Sequence, residues 1–196
     1  MAVERTFVML KPDTVQRGLS GDIVARLEHA GFKIVGLKMV RPTPDQVQTF
    51  YPSDDAWLRN LGQKSAANFK QFGLDLQKIM GSTDELTIGQ RVKSWLVEYI
   101  SSGPVVIMVL EGNHAPENAR RLVGPTIPIN AMPGTIRGDY SNDSTDHANS
   151  QGRVIRNLIH ASGDATEAAA EIAMWFRIEE LMQYERAGEA SLGFRK

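Results

Sequence analysis

The amino-acid sequence predicts an α+β fold in which helices pack on a single sheet. Short β-rich segments alternate with segments whose apolar residues recur at helical spacing, in the order βαβ(α)…βα(loop)βα. No internal repeat or low-complexity linker interrupts this order, and the 42% hydrophobic content of the 196 residues is enough for a core. The segment PVVIMVLEG is so uniformly apolar that we expect it to be a central strand.

The first half of this order contains two strands and two helix starts. Residues 6–10, TFVML, form a strand that ends at Lys11, because the proline that follows cannot donate to a β-ladder. Apolar residues at helical spacing and a glycine cap predict a helix over residues 20–30, followed by a strand over residues 32–40. The motif TPDQ at 43–46 combines an N-cap with a capping-box glutamine and begins another helix.

Residues 52–102 differ in character, because their glycines are expected to divide them into short helical pieces. These glycines are Gly62, Gly73, Gly81 and Gly89. In the last piece, apolar residues from 88 to 100 form one helical stripe, which we interpret as core rather than as a binding face. The central strand PVVIMVLEG, residues 104–112, follows directly.

The last third contains one long segment without periodicity. We predict a helix at 116–123 and then a loop at 125–153, rich in Gly, Pro, Ser, Asn and Asp. A loop of this length in a compact domain is usually functional. A short strand at 154–160 precedes a helix at 164–175 and a helical stretch near 178–184.

Composition excludes several classes of protein. The formal net charge of -1 gives no electrostatic reason to expect a nucleic-acid or membrane-surface binder. The absence of cysteine excludes disulfides, thiolate metal sites and a cysteine nucleophile. The N-terminal apolar run contains Glu4 and Arg5 and ends at Lys11, so it resembles neither a secretory signal nor a membrane span. We therefore expect a cytoplasmic location.

His160 is the histidine whose surroundings suggest chemistry. It ends a predicted strand, and Asp164-x-x-Glu167 begins a helix directly behind it with a capping box. Glu167 and Glu171 lie on one face of that helix, so either could accept a proton from one ring nitrogen and leave the other as a nucleophile. The alternative is a core histidine that bonds a backbone carbonyl. We expect the other histidines to be solvated, and these are His29, His114 and His147.

Cations are distributed over several distant segments. Lys11 ends a strand, Arg120 and Arg121 lie on a predicted helix, and Arg137 lies between glycines in PGTIRGDY. Taken singly, each is more simply interpreted as a solvated side chain. Together with one oriented imidazole, they meet the needs of phosphoryl transfer, which relies on cations around the oxygens of the moving group. No G-x-x-x-x-G-K-[ST] motif is present to hold phosphates.

Several segments closely resemble nucleoside diphosphate kinases, in the order of that family and over most of the chain. They are ERTFVMLKPD, VQRGLSGDIVARLEHAGFKIVGLKM, SGPVVIMVLEG, RLVGPTIP, PGTIRGDY and RNLIHAS. The resemblance implies a ferredoxin-like βαββαβ sandwich, with an antiparallel sheet covered by helices. It implies a homohexamer or homotetramer and ping-pong transfer of a γ-phosphate, mainly from ATP, to a nucleoside diphosphate through a phosphohistidine. Mg²⁺ would be carried mainly by the nucleotide phosphates and water.

The resemblance also implies roles for the residues around the reactive histidine. His160 is the phosphorylated nucleophile, and Glu171 is the carboxylate that holds its other ring nitrogen. Ser162 supports that carboxylate. Lys11 contacts the moving γ-phosphate, and Tyr51 hydrogen-bonds beside it.

The remaining matched positions are expected to bind the rest of the nucleotide. Arg120 and Thr126 hold the β-phosphate, and Arg137 contacts the phosphates from its glycine-framed loop. Asn157 binds the sugar hydroxyls. No residue is predicted as a direct metal ligand.

The chain departs from the family pattern in three places. We predict a single domain, 1–196, with a helical insertion of roughly thirty residues at about 53–90 and a shorter loop insertion at about 141–152. The first insertion leaves the residue that stacks on the base open between Trp57 and the region of Val92. Gly163 stands where the family usually has an aspartate, and we assign it no role.

Two other functions compete with catalysis. A nucleotide-sensing scaffold would keep the cations and show no turnover. A sheet-based nucleic-acid binder would present aromatic residues to bases, but the near-neutral charge and the absence of an RNP1-type run oppose it. The intact pair of His160 and Glu171 favours the enzyme.

Overall fold

A four-stranded antiparallel sheet lies at the centre of the computed structural model, which describes residues 3–187. Its strands are β1 (Val3–Leu10), β2 (Lys33–Val40), β3 (Val105–Asn113) and β4 (Ile159–Ala161). They are arranged in the order β2-β3-β1-β4, and each neighbouring pair is antiparallel. This arrangement confirms the predicted α+β class and the ferredoxin-like order of strands.

Ten α-helices surround the sheet within the described residues. They are α1 (Pro12–Gln16), α2 (Ser20–His29), α3 (Pro44–Phe50), α4 (Asp55–Gln71), α5 (Leu76–Met80), α6 (Glu85–Ser101), α7 (Ala115–Val123), α8 (Ile136–Tyr140), α9 (Thr145–Ser150) and α10 (Ala165–Trp175). Two short 3₁₀ turns complete the secondary structure, at Pro128–Asn130 and Ile178–Glu180. No helix among residues 3–187 is both long and apolar enough to cross a bilayer.

Both faces of the sheet are covered, which explains why residues 7–10 of β1 and 105–110 of β3 are continuously apolar. Val8 and Leu10 of β1 point into one core, which also contains residues of α2 and α7. Phe7 and Met9 point into the other, which contains residues of α3, α6 and α10. Residues 105–110 of β3 are all buried, so the prediction of a central strand is confirmed.

Helices α4 and α6 cross at backbone contact, and this makes one sequence prediction wrong. Gly62 and Gly89 are predicted to end helical pieces, but they lie inside α4 and α6. A Cβ at Gly62 would lie 1.8 Å from the Glu85 carbonyl oxygen, and one at Gly89 would lie 1.9 Å from that of Leu58. These glycines therefore permit close helix packing, and in their tertiary setting this outweighs their low helix propensity.

The apolar stripe of α6 is mostly core, as predicted, since Ile88, Val92, Trp95 and Ile100 are buried; Val92, Trp95 and Leu96 also line the cavity described below. Its Ile88, Val92 and Trp95 form a third hydrophobic cluster with residues of α4 and α5, whereas its Ile100 belongs to the sheet core around Phe7 and Met9. The fully or mostly buried members of this cluster are Phe69, Met80, Ile88, Val92 and Trp95. The capping box at Thr43 and Gln46 is also confirmed by both of its hydrogen bonds.

The segment 125–153 is more structured than the predicted loop. Its helix α9 begins where Ser144 caps the backbone N–H of His147, and its helix α8 begins at a similar cap by Thr135. The strand predicted at 154–160 is reduced to β4, because Leu158 adopts a positive φ of 68° directly before it. The helical stretch predicted near 178–184 is only the 3₁₀ turn already given.

Substitutions of the glycines at the helix crossing test whether this contact holds α4 in place. We expect Gly62→Ala or Gly89→Ala to lower the free energy of unfolding by about 3 kcal/mol or more, because the new methyl group meets a backbone carbonyl that cannot move aside. Thermal or urea unfolding at one fixed protein concentration measures the change.

Gly21→Ala is the matched control, because Gly21 is also helical and a methyl group added there would have no atom within 4 Å. We expect it to leave the stability unchanged or to raise it by about 0.5 to 1 kcal/mol. Equal effects at Gly21 and Gly62 would contradict the packing explanation.

Candidate active site

A cavity of about 710 Å³ opens where β1 and β4 end, a size typical of sites for small ligands. The residues predicted from the sequence that line it are Lys11, Tyr51, Arg120, Thr126, Arg137, Asn157 and His160. The two remaining predicted residues lie behind the histidine. Glu171 bonds to His160 directly, and Ser162 bonds to Glu171. The fold therefore brings all the predicted site residues together.

The imidazole of His160 is held from behind by a carboxylate. His160 lies on β4 opposite Met9 of β1, and its side chain is 19% exposed. Its Nε2 lies 2.7 Å from Oε1 of Glu171 on α10. The other carboxylate oxygen accepts from the Ser162 hydroxyl at 2.6 Å, and that hydroxyl oxygen accepts from the Phe7 N–H at 3.2 Å. A chain of hydrogen bonds thus connects the sheet backbone to the histidine.

This geometry decides between the alternatives left open by the sequence. The partner of His160 is Glu171, a carboxylate, and not a backbone carbonyl. Glu167 instead accepts from the Gly163 N–H at 2.6 Å. The predicted capping box is therefore wrong in one detail: Asp164 caps α10, but the return bond goes to Gly163.

The same contact assigns the proton of the neutral ring. An ionised carboxylate only accepts hydrogen bonds, so Nε2 of His160 carries the hydrogen that points to Glu171. Nδ1 then keeps its lone pair, and no residue in the range 3–187 donates to it. His160 lines the cavity, so this nitrogen is an oriented nucleophile.

Lys11 is a buried cation at the end of β1. Its Nζ donates to Asn157 Oδ1 at 2.6 Å and lies 5.5 Å from the centre of the Tyr99 ring. Burial, with a smaller effect of the Arg137 guanidinium, lowers its pKa from the ordinary 10.5 to about 7, although the Asp13 carboxylate opposes both. An anion that enters the cavity would therefore hold Lys11 in its charged form.

Arg137 joins two other backbone segments, one at Gly124 and one at 157–159. Its guanidinium donates to the carbonyl oxygens of Asn157 at 3.1 Å, Gly124 at 2.8 Å and Ile159 at 2.5 Å. Burial is the main reason that its pKa falls to about 10, so it stays charged at neutral pH. A guanidinium has five N–H donors, so two remain for a ligand.

The other predicted polar residues differ in how firmly they are held. Asn157 is fixed at both ends of its amide, since Nδ2 donates to the Thr126 carbonyl at 2.8 Å and Oδ1 accepts from Lys11. Arg120 and Thr126 are exposed on the cavity wall. Burial and the nearby Glu171 raise the pKa of Tyr51, so its hydroxyl keeps its proton and can donate. The other three histidines are exposed, as predicted.

Several lining residues were missed by the sequence analysis. Leu61, Lys64, Ser65 and Asn68 of α4 line the cavity, together with Thr145 and Asn149 of α9. The spacing of the four α4 residues, with offsets of 3, 4 and 7, is that of one helical face and was the available signal. Of the two candidates for stacking on a base, Val92 lines the cavity, whereas the Trp57 ring packs 6.4 Å from that of Tyr51.

The arrangement combines a nucleophile with convergent positive charge. Such a site can accept a phosphoryl group on nitrogen while the cations stabilise the charge that develops on its oxygens. Glu167 is the one carboxylate that lines the cavity within the described part of the chain. His160, Glu167 and Glu171 offer ligand atoms within 4.8 Å of one another, but both carboxylates already accept hydrogen bonds from the protein.

A model of the nucleoside diphosphate kinase family matches residues 4–58 and 87–181, which is more than half of the chain. The unmatched stretch between them contains most of α4 and all of α5. A nucleoside diphosphate kinase of Pyrobaculum aerophilum is 51% identical over 183 residues, which cover 93% of this chain and 100% of the relative.

Solved structures of nucleoside diphosphate kinases are also similar to this chain. The crystal structure of an NDP kinase from Pyrobaculum aerophilum has a TM-score of 0.91 at 49% identity and covers 93% of this chain and 100% of its own. A transition-state mimic of the Borrelia burgdorferi nucleoside-diphosphate kinase with bound vanadate and ADP has a TM-score of 0.79 at 33% identity, with 98% of both chains covered. A Halobacterium salinarum enzyme in complex with CDP has a TM-score of 0.68 at 36% identity and covers 97% of this chain and 99% of its own.

The lowered pKa of Lys11 predicts how this residue affects stability with pH. Between pH 7 and 10.5 the unfolded chain binds more protons than the folded protein, so the free energy of unfolding rises with pH over this range. The destabilisation by the charged Lys11 is therefore complete below pH 7 and decreases until pH 10.5. We expect Lys11→Met to raise the free energy of unfolding by about 2 kcal/mol or more near pH 6.5, and the gain to shrink as the pH rises.

Urea unfolding of both proteins in the absence of nucleotide, at several pH values, measures this difference. Lys70→Met serves as the control, because Lys70 is exposed on α4. A gain in the free energy of unfolding for Lys11→Met that stays constant or grows with pH would contradict the conclusion that burial lowers the pKa of this lysine.

Proposed function

The chain belongs to the nucleoside diphosphate kinase family and is a phosphotransferase, and we propose that it moves the γ-phosphate of a nucleoside triphosphate, mainly ATP, to a nucleoside diphosphate through His160. The observation that carries this proposal is the bond of 2.7 Å between Nε2 of His160 and Glu171, which leaves Nδ1 as a nucleophile in the cavity. The reaction is ping-pong, so the two nucleotides use one site in turn.

In the first half-reaction, Nδ1 of His160 attacks the γ-phosphorus. A phosphorus–nitrogen bond forms from the ring lone pair, and the bond from the γ-phosphorus to the bridging oxygen breaks, so that its electron pair leaves with the nucleoside diphosphate. Glu171 keeps the Nε2 hydrogen in place and stabilises the positive charge that develops on the ring. The second half-reaction reverses these steps with another nucleoside diphosphate as the nucleophile.

The cations supply the electrostatic part of catalysis. Lys11 contacts the moving γ-phosphate, and the Tyr51 hydroxyl donates beside it. Arg120 and Thr126 bind the β-phosphate, and Arg137 contributes its two remaining N–H groups to the phosphates. Lys11 and Arg137 are held by hydrogen bonds before the reaction begins, so these two donors need little reorganisation in the transition state. Asn157, already bonded to Lys11, binds the sugar hydroxyls.

We propose that Mg²⁺ enters bound to the nucleotide. When bound, the ion neutralises phosphate charge during transfer. The donor set fits this mode of entry, because Glu167 is the one lining carboxylate among residues 3–187 and its Oε2 already accepts from a backbone N–H. Phosphate oxygens and water therefore provide most of its ligands.

We propose one domain, with a helical insertion at about 53–90 and a loop insertion at about 141–152. The match of the family model on both sides of residues 59–86 supports the first. Residues 1–2 and 188–196 of this domain lie outside the described residues. The cytoplasmic location stays a prediction from composition.

We also propose that the chain forms a homohexamer, with a homotetramer as the alternative. Strand β2 is at the edge of the sheet, and its Leu37 and Met39 are 51% and 60% exposed. Exposed apolar side chains on an edge strand are typical of a surface that another subunit covers.

Labelling with ATP tests the phosphohistidine. We expect one phosphate per chain, stable in base and lost in acid, attached to Nδ1 because Nε2 is bonded to Glu171. His160→Ala should abolish the label, and His147→Ala, at an exposed histidine, should retain it. Mass spectrometry and phosphorus NMR locate the phosphate. Label that survives in His160→Ala would contradict the proposal.

The mass of the intact assembly tests the oligomer. We expect six chains in the parent protein and a smaller assembly for Leu37→Glu, because a charge on the edge strand opposes subunit contact. Phe72→Glu is the control, since Phe72 is 45% exposed on a different surface. A tetrameric parent selects the alternative, and a monomeric parent contradicts both.

A further inference from the structure

The inserted helix α4 forms one wall of the proposed nucleotide cavity. Its residues Leu61, Lys64, Ser65 and Asn68 face the cavity along one side of the helix. Helix α4 packs on α6 and α9 rather than on the sheet, so this wall is separate from the strand ends that carry Lys11 and His160. Most of α4 also belongs to the stretch that the family model leaves unmatched.

The wall beside α4 is apolar. Val92, Trp95 and Leu96 of α6 line it with helical offsets of 3 and 4, and Val154 and Ile155 line it from the segment before β4. A nucleotide whose phosphates are bound by the cations directs its base away from them. Flat apolar walls suit the faces of a base, whereas its polar edge needs hydrogen-bond partners.

Helix α4 is held rigidly enough to recognise such an edge. Gly62 and Gly89 bring its backbone into contact with that of α6. The Lys93 ammonium donates to the Tyr51 carbonyl at 3.0 Å and also bonds the Ser53 hydroxyl, which fixes the chain entering α4. Side chains on a fixed helix discriminate between ligands better than side chains on a loop.

The polar side chains at this wall differ in the hydrogen-bonding groups that they offer to a ligand. Lys64 is exposed, forms no ion pair among residues 3–187 and can only donate. Asn149 of α9 is 8% exposed, and its Nδ2 is buried without a hydrogen-bond partner. Asn68 uses its Nδ2 in a bond of 2.9 Å to the Lys64 carbonyl, which leaves Oδ1 as an acceptor.

We propose that α4 selects the base of the nucleotide, and that Lys64 and Asn68 favour guanine over adenine. This proposal rests on the proposed function. Guanine offers the acceptors O6 and N7 to a lysine and carries N–H groups for the Asn68 oxygen. Adenine has an amino group in place of O6, and an ammonium can only donate to its partners.

The experiment compares acceptor nucleotides on enzyme already phosphorylated with ATP. We expect the kcat/KM of the parent for GDP to exceed that for ADP by about tenfold, which is near the lower end of the discrimination that one good bidentate contact to a base provides. Lys64→Met should lower this ratio about fivefold to tenfold, through KM and with kcat at saturation unchanged. Asn68→Ala should lower it in the same direction.

Controls elsewhere on the same helix isolate the effect. Lys70→Met and Asn60→Ala remove the same kinds of side chain from exposed positions of α4 that do not line the cavity, and they should leave the ratio unchanged. GDP and ADP are also titrated into the His160→Ala protein and into the double variant that adds Lys64→Met. The dissociation constants then compare the two nucleotides by binding alone, without catalysis.

The outcomes separate this inference from the proposed function. A parent without preference for GDP, or a Lys64→Met variant that loses GDP and ADP activity equally, would overturn the role of α4 while phosphorylation of His160 continues. A parent that acquires no phosphate from ATP would instead contradict the proposed function, and the titrations would still report on base selection.

Discussion

Buried positive charge that exceeds the nearby negative charge of Asp13 is the constraint on which this site depends. Lys11 and Arg137 are both buried, and neither forms an ion pair in the described part of the chain. Removing such charges from water is costly, and the lowered pKa of Lys11 reflects this. Neutral oxygens, chiefly backbone carbonyls around Arg137, compensate in part. A bound polyphosphate supplies the missing negative charge, so energy that destabilises the free protein contributes to binding.

The same carbonyl oxygens also position the nucleophile. Arg137 bonds the carbonyls on both sides of Leu158, whose positive φ shortens β4. The Leu158 carbonyl in turn accepts from the Lys11 N–H at 2.7 Å, and its N–H donates to Asp13 at 3.2 Å. The strand end that presents His160 is therefore fixed by the residues that carry the buried charge. One set of hydrogen bonds both compensates the buried charge and fixes the strand end that presents His160. The electrostatics and the geometry of this site therefore cannot be changed independently.

Much of the fold and site follows from the sequence, and the predictions are wrong where a distant tertiary contact or a weak local signal determines the structure. Strand segments and helix caps are local signals, so the sheet and most helix starts could be predicted. The catalytic residues could be named because the motifs resemble a family, but Glu167 and Glu171 lie on one helix face, and tertiary contacts were needed to choose between them. The sequence predicts a helix end at Gly62 because the partner of this glycine, the Glu85 carbonyl, is distant along the chain. The caps of α8 and α9 are weak signals within a segment whose composition predicts a loop.

The structure separates the chemical part of the site from the part that surrounds it. Glu171 and Ser162 reach the nucleophile through α10 and the sheet, whereas α4 belongs to a third cluster around Phe69 and Trp95. Within the described residues, no hydrogen bond connects the chain from Glu171 to Phe7 with α4; the two parts are linked instead at Tyr51, whose carbonyl accepts from Lys93 of α6. Changes on the cavity side of α4 can thus alter contacts at one end of a bound nucleotide without moving the hydrogen-bond chain that orients the imidazole. A wall formed by α4 is compatible with intact chemistry because the hydrogen bonds that orient His160 run through α10 and β1 instead.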